Sequence, residues 1–394
     1  MAKVLRMGMA GLGVASTQIL PVLSKVEHIK ITAATDIRKD ALATFQQEYG
    51  AEIFDSVDSM CASPNVDFVY LATPNQLHAE HVITAARHGK HAIVEKPMAL
   101  SIEQCDAMNR AAEENGIKLL CGHTHSFDPP IRKIREIVKS GELGKLRMLH
   151  SWNFNEFMYR PRMKHELQTS HGVVLNQGPH HVDIVRLIGG GMLRSVRATT
   201  GIWDPERPHE GSYVAHLEFE DGVPATLVYN GYGFFDTAEL FEWVGEGGQP
   251  RHPQHNLKVR QRLNSIGSPD EEEGLKEDMR YGSNRAGEFS HVWEGERRQP
   301  FFGFTVVSCE KGDIRQSPNG LIVYGEEGRR DIDLSVGSRG REAEVEELYQ
   351  AVVNDRPVFH DGRWGEATLE VCLAMIQSSA EKREIRLNKQ VPCD

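Results

Sequence analysis

The sequence predicts an α/β chain: a doubly wound parallel sheet, followed by an α+β domain on a large, mainly antiparallel open sheet. Three observations carry this. A glycine turn, G-L-G-V-A-S (11–16), lies between two apolar β-type runs, the second of which ends in an acid. Buried-type strands and amphipathic helices then alternate to about residue 125. Beyond that point strand-like runs separated by Gly-rich turns take over. The predicted domains are residues 1–125 and 126–394.

Composition narrows the function. With 394 residues, 40% of them hydrophobic, the chain is long enough for two cores. A net charge of -11 argues against nucleic acid, and it means that an anionic ligand must be met by a local cluster of cations. No apolar run approaches the roughly 18 residues of a membrane span. The 6 cysteines are scattered without a C-x-x-C, as expected of reduced thiols in a cytoplasmic protein with neither disulfides nor a metal site.

Taken in order, VLRMGMAG (4–11) is a strand running into the turn, TQILPVLSKV a helix, and IKITAATD (29–36) a second strand. Strand, glycine turn, helix, strand and acid form the pattern of a Rossmann dinucleotide-binding unit. Gly11 permits the tight turn, and Gly13 lets backbone approach a pyrophosphate. Ser16 stands at the third small position, where glycine or alanine is usual. The helix then turns its unpaired N–H groups toward the phosphates. Asp36, about 25 residues after the first glycine, accepts from ribose hydroxyls and repels a 2′-phosphate. That favours NAD over NADP, a preference that Arg38 two residues on would weaken.

The alternation continues through the strand VDFVYLATP (66–74), the helix AEHVITAARHG (79–89), the strand HAIVEKP (91–97), the helix 101–116 and the strand KLLCGH (118–123). Ser101 suits the N-cap of its helix and Gly116 its stop. Two strand ends carry chemistry, since ligands of open α/β sheets bind at carboxyl ends. One is T-P-N-Q-L-H, with Thr73, Pro74, Asn75 and His78; the other is E-K-P, with Glu95 and Lys96. Lys96 follows an apolar run and precedes Pro97, and partial burial would lower its pKa toward neutrality. Equally, it reads as a surface lysine after a strand.

With G-x-G, T-P-N-x-x-H and E-K-P in this order, the chain resembles the Gfo/Idh/MocA oxidoreductases over nearly its whole length. GHTHSFDPP (122–130) is similar to that family's crossing into the second domain, with Ser126 where an arginine is common. N-Q-G-P-H-H-V-D (176–183) resembles the family's D-x-G-x-H-x-x-D motif. The resemblance implies that Lys96 and His180 hold the substrate hydroxyl near the nicotinamide. Asn176 replaces the first acid, and an amide cannot accept a proton. By spacing alone, Asn176, His180 and Asp183 can share one helical face, and Asn176 also suits an N-cap. His181 points elsewhere and reads as structural.

In the second domain, runs such as LRMLHSWNF, GSYVAHLEFEDG and PATLVYNGYG are strand-like, and residues 246–300 read as a charged insertion or long loop. NEFMYRPRMKHE (155–166) alternates Arg160, Arg162 and Lys164, so an extended segment puts all three on one side for an anionic substrate. The competing reading is a solvated basic loop, or ion pairs with Glu156 and Glu166. Arg207 and Arg363 are weaker candidates. FMYRPR, NQGPHH and WDPERPHEG are similar to the phthalate 4,5-cis-dihydrodiol dehydrogenase branch of the family. That resemblance implies NAD-dependent oxidation of a carboxylated cyclic cis-diol by a homodimer or homotetramer. A sugar or polyol dehydrogenase is the alternative on the same scaffold. A non-catalytic dinucleotide-dependent regulator would be expected to lose Lys96 or His180.

Overall fold

The computed structural model describes residues 3–163, 172–283, 295–336 and 340–393. The chain opens with β1 (Leu5–Ala10), α1 (Val14–Leu23), β2 (Ile29–Thr35), α2 (Lys39–Tyr49), β3 (Glu52–Phe54), α3 (Val57–Ala62) and β4 (Phe68–Leu71). Then come α4 (His78–Arg87), β5 (His91–Glu95), α5 (Ile102–Glu114) and β6 (Leu119–Gly122). These strands form a six-stranded sheet in the order β3-β2-β1-β4-β5-β6, every pair parallel. The strand order reverses at β1, whose carboxyl end is the glycine turn, so the turn stands at the topological switch point. Ser101 caps α5 as expected, accepting from the Gln104 N–H at 3.3 Å.

The second half continues with α6 (Pro129–Ser140), β7 (Leu146–Phe154), α7 (Gly172–Asn176), α8 (Gly178–Gly189), β8 (Leu193–Gly201), β9 (Ser212–Phe219) and β10 (Pro224–Asn230). After α9 (His255–Asn264) and α10 (Pro269–Asp278) come β11 (Phe304–Cys309), β12 (Gly312–Ser317), β13 (Gly320–Gly325) and β14 (Gly328–Asp333). The chain closes with α11 (Gly340–Val353), α12 (Gly362–Glu381) and β15 (Ile385–Arg386). A nine-stranded sheet runs β14-β13-β12-β11-β7-β10-β9-β8-β15. It is antiparallel except between β7 and β10, which pair in parallel. Burial alternates along β10, and along β7 from Met148 onward. Leu149, Ser151 and Asn153 are buried, and so are Ala225, Leu227 and Tyr229 opposite them. Helix α8 lies against α6, β7 and β10, which explains why it is buried almost all round, its His180, His181, Asp183 and Arg186 included.

Two expectations need correction. The predicted boundary is 125/126; the first compact unit ends its N-terminal run at His123 and also recruits later chain, comprising Met1–His123, Gly274–Val292 and Arg341–Leu369. The cause is burial. Tyr281 and, from α11, Val345, Leu348 and Tyr349 complete the core of Leu5, Met7, Ile29, Ile31, Phe45 and Phe68. Residues 246–300 are likewise not a plain loop, since α9 and α10 fall within them. No helix among the described residues is long and apolar enough to cross a membrane.

Candidate active site

In the first unit the glycine turn is built by backbone constraints. Gly11 has φ +88°, and a Cβ there would lie 2.6 Å from the Ala72 carbonyl oxygen, so only glycine fits. Around Gly13 a Cβ would meet nothing within 4 Å, which leaves open space beside the backbone. Ser16 is fully buried, and its Oγ donates to the Gly11 carbonyl at 2.6 Å. The departure from glycine or alanine therefore braces the turn. Asp36, at the end of β2, accepts from the Leu12 N–H at 2.6 Å and from the Arg38 N–H at 2.8 Å. The Arg38 guanidinium donates to the carbonyls of Leu12 and Tyr281, the latter at 3.0 Å. Burial, then the neighbouring Arg280, lowers its pKa.

This turn fits a dinucleotide. No atom crowds the backbone at Gly13, where a pyrophosphate would approach, and no side chain caps the first turn of α1, whose N–H groups are left to an anion. The Asp36 carboxylate is fixed where a ribose would lie.

The two other strand ends are tied to each other. Thr73 and Pro74 follow β4, and Asn75 opens a 3₁₀ turn, Asn75–Leu77. The Thr73 hydroxyl lies 3.0 Å from His81 Nδ1. His78 is fully buried, with Nε2 2.9 Å from the Thr73 carbonyl and Nδ1 3.0 Å from the Pro97 carbonyl. Burial lowers its pKa, and a neutral imidazole carries one N–H, so it bonds one carbonyl at a time. The predicted cofactor residue thus joins the two loops. Lys96 follows β5 and is partly exposed.

Glu95 points into the unit rather than toward a ligand. Its Oε1 accepts from Tyr70 Oη at 3.1 Å and from Arg341 Nη1 at 2.5 Å. Tyr70 Oη also lies 3.0 Å from Glu344, and Arg341 lies 3.3 Å from it. Two buried carboxylates therefore share one guanidinium and one phenolic proton. Burial, reinforced by Glu95 and opposed by Arg341, pushes the Glu344 carboxyl up to about 7. Sequence reasoning missed Arg341 and Glu344 because only folding brings α11 to the end of β5.

In the second unit, the expected N-cap role of Asn176 is corrected. The chain is already helical in α7, Gln177 stands at the N-cap of α8, and no side chain caps that turn. Asn176 is exposed, and its Oδ1 accepts from Gln177 Nε2 at 2.7 Å. His180, His181 and Asp183 are all buried. His181 Nδ1 lies 3.0 Å from Tyr213 Oη, and burial pushes its pKa down to about 3, which keeps it neutral and structural as expected. The His180 ring meets His125 edge-on, with centroids 4.9 Å apart, and Phe302 at 5.1 Å. His125 Nδ1 in turn lies 3.0 Å from Asp128 Oδ2. This carboxylate–imidazole pair went unread, although the H-S-F-D spacing of residues 125–128 was visible.

The predicted cation cluster separates. Arg160 donates to Glu156 at 2.8 Å and lies 3.9 Å from Glu246, which matches the ion-pair reading. Glu156 also faces Arg251 and His255. Burial alone would raise its pKa, but Arg160, His255 and Arg251 together hold it well below the usual carboxylate range. Arg162 is buried, with its guanidinium 4.8 Å from the Phe157 ring and its main-chain N–H bonded to Glu272. Glu272 also takes a forked pair of bonds from Arg207, both at 2.7 Å. Lys164 lies outside the described residues. Arg363, in the first unit, pairs with Glu113 at 2.8 Å.

Comparison with known proteins agrees with this geometry. Residues 5–123 match the oxidoreductase family with an NAD-binding Rossmann fold, and residues 131–249 match the GFO/IDH/MocA C-terminal domain. The chain is 35% identical, over 95% of its length and 94% of the relative's, to a 1-carboxy-3-chloro-3,4-dihydroxycyclohexa-1,5-diene dehydrogenase of Comamonas testosteroni. A crystal structure of a dehydrogenase from Bordetella bronchiseptica RB50 superposes with TM-score 0.90 at 38% identity, covering 97% of this chain and 100% of that one. An Agrobacterium radiobacter oxidoreductase in complex with NAD+, L-tartaric acid and magnesium shares the fold, with TM-score 0.73 at 18% identity over 97% of this chain and 98% of that one. The chain is therefore an oxidoreductase and belongs to the Gfo/Idh/MocA family, with an NAD-binding Rossmann domain at residues 5–123.

Proposed function

We propose that this enzyme oxidises a carboxylated cyclic cis-dihydrodiol, of the phthalate 4,5-dihydrodiol type, to the dihydroxy aromatic product in the cytoplasm. The observation that carries this reading is the 35% identity, over 95% of the chain, to an enzyme named for a carboxylated dihydroxycyclohexadiene. The chemistry that bound NAD would supply to this site is a hydride acceptor for the carbinol carbon. Asp36 favours it over NADP, and Arg38 does not oppose this, since its guanidinium is turned to the main-chain carbonyls of Leu12 and Tyr281. Lys96 and His180 handle the hydroxyl proton. Asn176 offers the diol a hydrogen bond without adding a negative charge beside a carboxylated ring. Arg162, whose guanidinium lies over the Phe157 ring while its main-chain N–H bonds Glu272, is the remaining described candidate of the predicted cluster for a ring carboxylate, and Arg160 serves the scaffold.

NADH formation against a panel of cyclic diols, with and without ring carboxylates, beside inositols and hexoses, tests this reading. The carboxylated cis-diols are expected to be turned over best. Good activity on neutral polyols with none on carboxylated diols would overturn it.

We also propose a homodimer or homotetramer joined through the open face of the nine-stranded sheet. Phe304, Trp152, Val228 and Val214 stand side by side in register on that face, and Trp152 and Val214 are exposed. Light scattering should give a multiple of the chain mass, which falls for Trp152→Lys. A monomeric wild type, or a variant of unchanged mass, contradicts this.

A further inference from the structure

The His125–Asp128 pair has the construction of an oriented base. His125 sits on a 3₁₀ turn, His125–Phe127, that places Asp128 within reach at i+3. Asp128 stands at the N-cap of α6, yet its carboxylate makes no capping bond there; it faces His125 Nδ1 at 3.0 Å. Its side chain is only 6% exposed, whereas that of His125 is 16% exposed. A buried carboxylate bonded to Nδ1 selects the tautomer with the proton on that nitrogen, which leaves the Nε2 lone pair as an acceptor. The His125 ring packs on Phe302 at 4.6 Å and meets the His180 ring at 4.9 Å with an interplanar angle of 80°. Phe302, itself buried, is thus a common wall for both imidazoles.

The proposed reaction needs two proton-transfer groups. Oxidation of the first carbinol leaves a ketone beside a carbon that still carries a hydroxyl and a hydrogen. The ring becomes aromatic when that C–H bond breaks and its electron pair forms the ring double bond. The carbon-bound proton goes to a base, and the carbonyl oxygen gains a proton. Nothing is oxidised or reduced in this step. The group that took the alcohol proton can return it to the carbonyl oxygen, but it cannot, while protonated, also accept the carbon proton.

We infer that His125, oriented by Asp128, is a further catalytic residue of this enzyme, beside Lys96 and His180, and accepts the carbon-bound proton when the ketone enolises. The inference rests on the dihydrodiol reading above.

The test follows NADH and the dihydroxy aromatic product separately, in the full chain, after rapid mixing with a carboxylated cis-dihydrodiol and NAD. In the wild type the two should rise together. In His125→Gln, with unchanged melting temperature and NADH affinity, NADH should form within a few-fold of the wild-type rate. The aromatic product should then lag, about 100-fold slower, as expected on loss of a general base. Asp128→Asn keeps the imidazole and loses its orientation, so a smaller lag is expected, and this variant decides the matter if His125→Gln does not fold. Aromatic product that keeps pace with NADH in a folded variant would overturn the assignment. A wild type that makes no NADH from these diols fails earlier and differently: it removes the substrate reading, and this step with it.

Discussion

The two glycines of the turn should respond to the same substitution in opposite ways. At Gly11, alanine would have to hold φ +88°, at a cost of about 1–3 kcal/mol for a residue with a Cβ. Its Cβ would also lie 2.6 Å from the Ala72 oxygen, 2.8 Å from the Ala72 carbonyl carbon and 3.0 Å from the Thr73 nitrogen. All three are backbone atoms at the end of β4, so relief requires moving a strand of the central sheet, for a further 1–3 kcal/mol or so. The total is about 4 kcal/mol, or roughly 8–16 °C in melting temperature for a unit of this size. At Gly13, φ is -78° and the backbone is extended, so alanine fits the chain without strain. The melting temperature should hold, or rise with about 0.4–1 kcal/mol of lost unfolded-state freedom. The added methyl group, however, enters the space read as the pyrophosphate site. Losing one or two charge-assisted hydrogen bonds at about 1.5 kcal/mol or more each weakens NADH binding roughly 10- to 100-fold. Thermal unfolding and a fluorescence titration with NADH measure the two effects independently. Wild-type NADH affinity in Gly13→Ala, or a wild-type melting temperature in Gly11→Ala, would refute the reasoning.

Three further substitutions probe the buried charge. Because the Glu344 carboxyl is raised to about 7 in the fold, against an ordinary value of 4.5, the folded chain holds this proton more tightly than the unfolded chain. The contribution is therefore full below 4.5 and is lost as the pH rises to about 7. The melting temperature of Glu344→Gln should gain on that of the wild type across this window, and a gap that stays constant from acid to neutral pH contradicts the assignment. Glu156→Gln removes the carboxylate that faces Arg160 and Arg251 and should cost about 3 kcal/mol in an unfolding experiment. Arg160→Ala leaves Glu156 its bond to Arg251 and should cost less, with turnover of a carboxylated diol changed by no more than a few-fold. A loss of turnover near that expected for a substrate-binding arginine would return Arg160 to the site.

Much of the first unit was legible because its determinants are local. The left-handed turn at Gly11, the open backbone at Gly13, the acid at the end of β2 and the Ser101 cap each depend on a few neighbouring residues and on strand–helix alternation. Spacing set His181 apart from the face shared by Asn176, His180 and Asp183, and the fold buries both histidines, with His181 Nδ1 3.0 Å from Tyr213 Oη. What the sequence could not determine was which side chains would neutralise one another. Arg160, Arg162 and Lys164 alternate in the chain, but whether an arginine meets a substrate or a buried glutamate depends on which carboxylate the fold brings near. For Arg160 it brings Glu156, and for Arg207 it brings Glu272. Glu95 likewise reads as a ligand-facing residue beside Lys96 until α11 delivers Arg341 and Glu344 to it. Short-range geometry is written into residue type and spacing. Charge pairing is not, because the interaction depends on through-space distance and burial, and only the tertiary structure decides those.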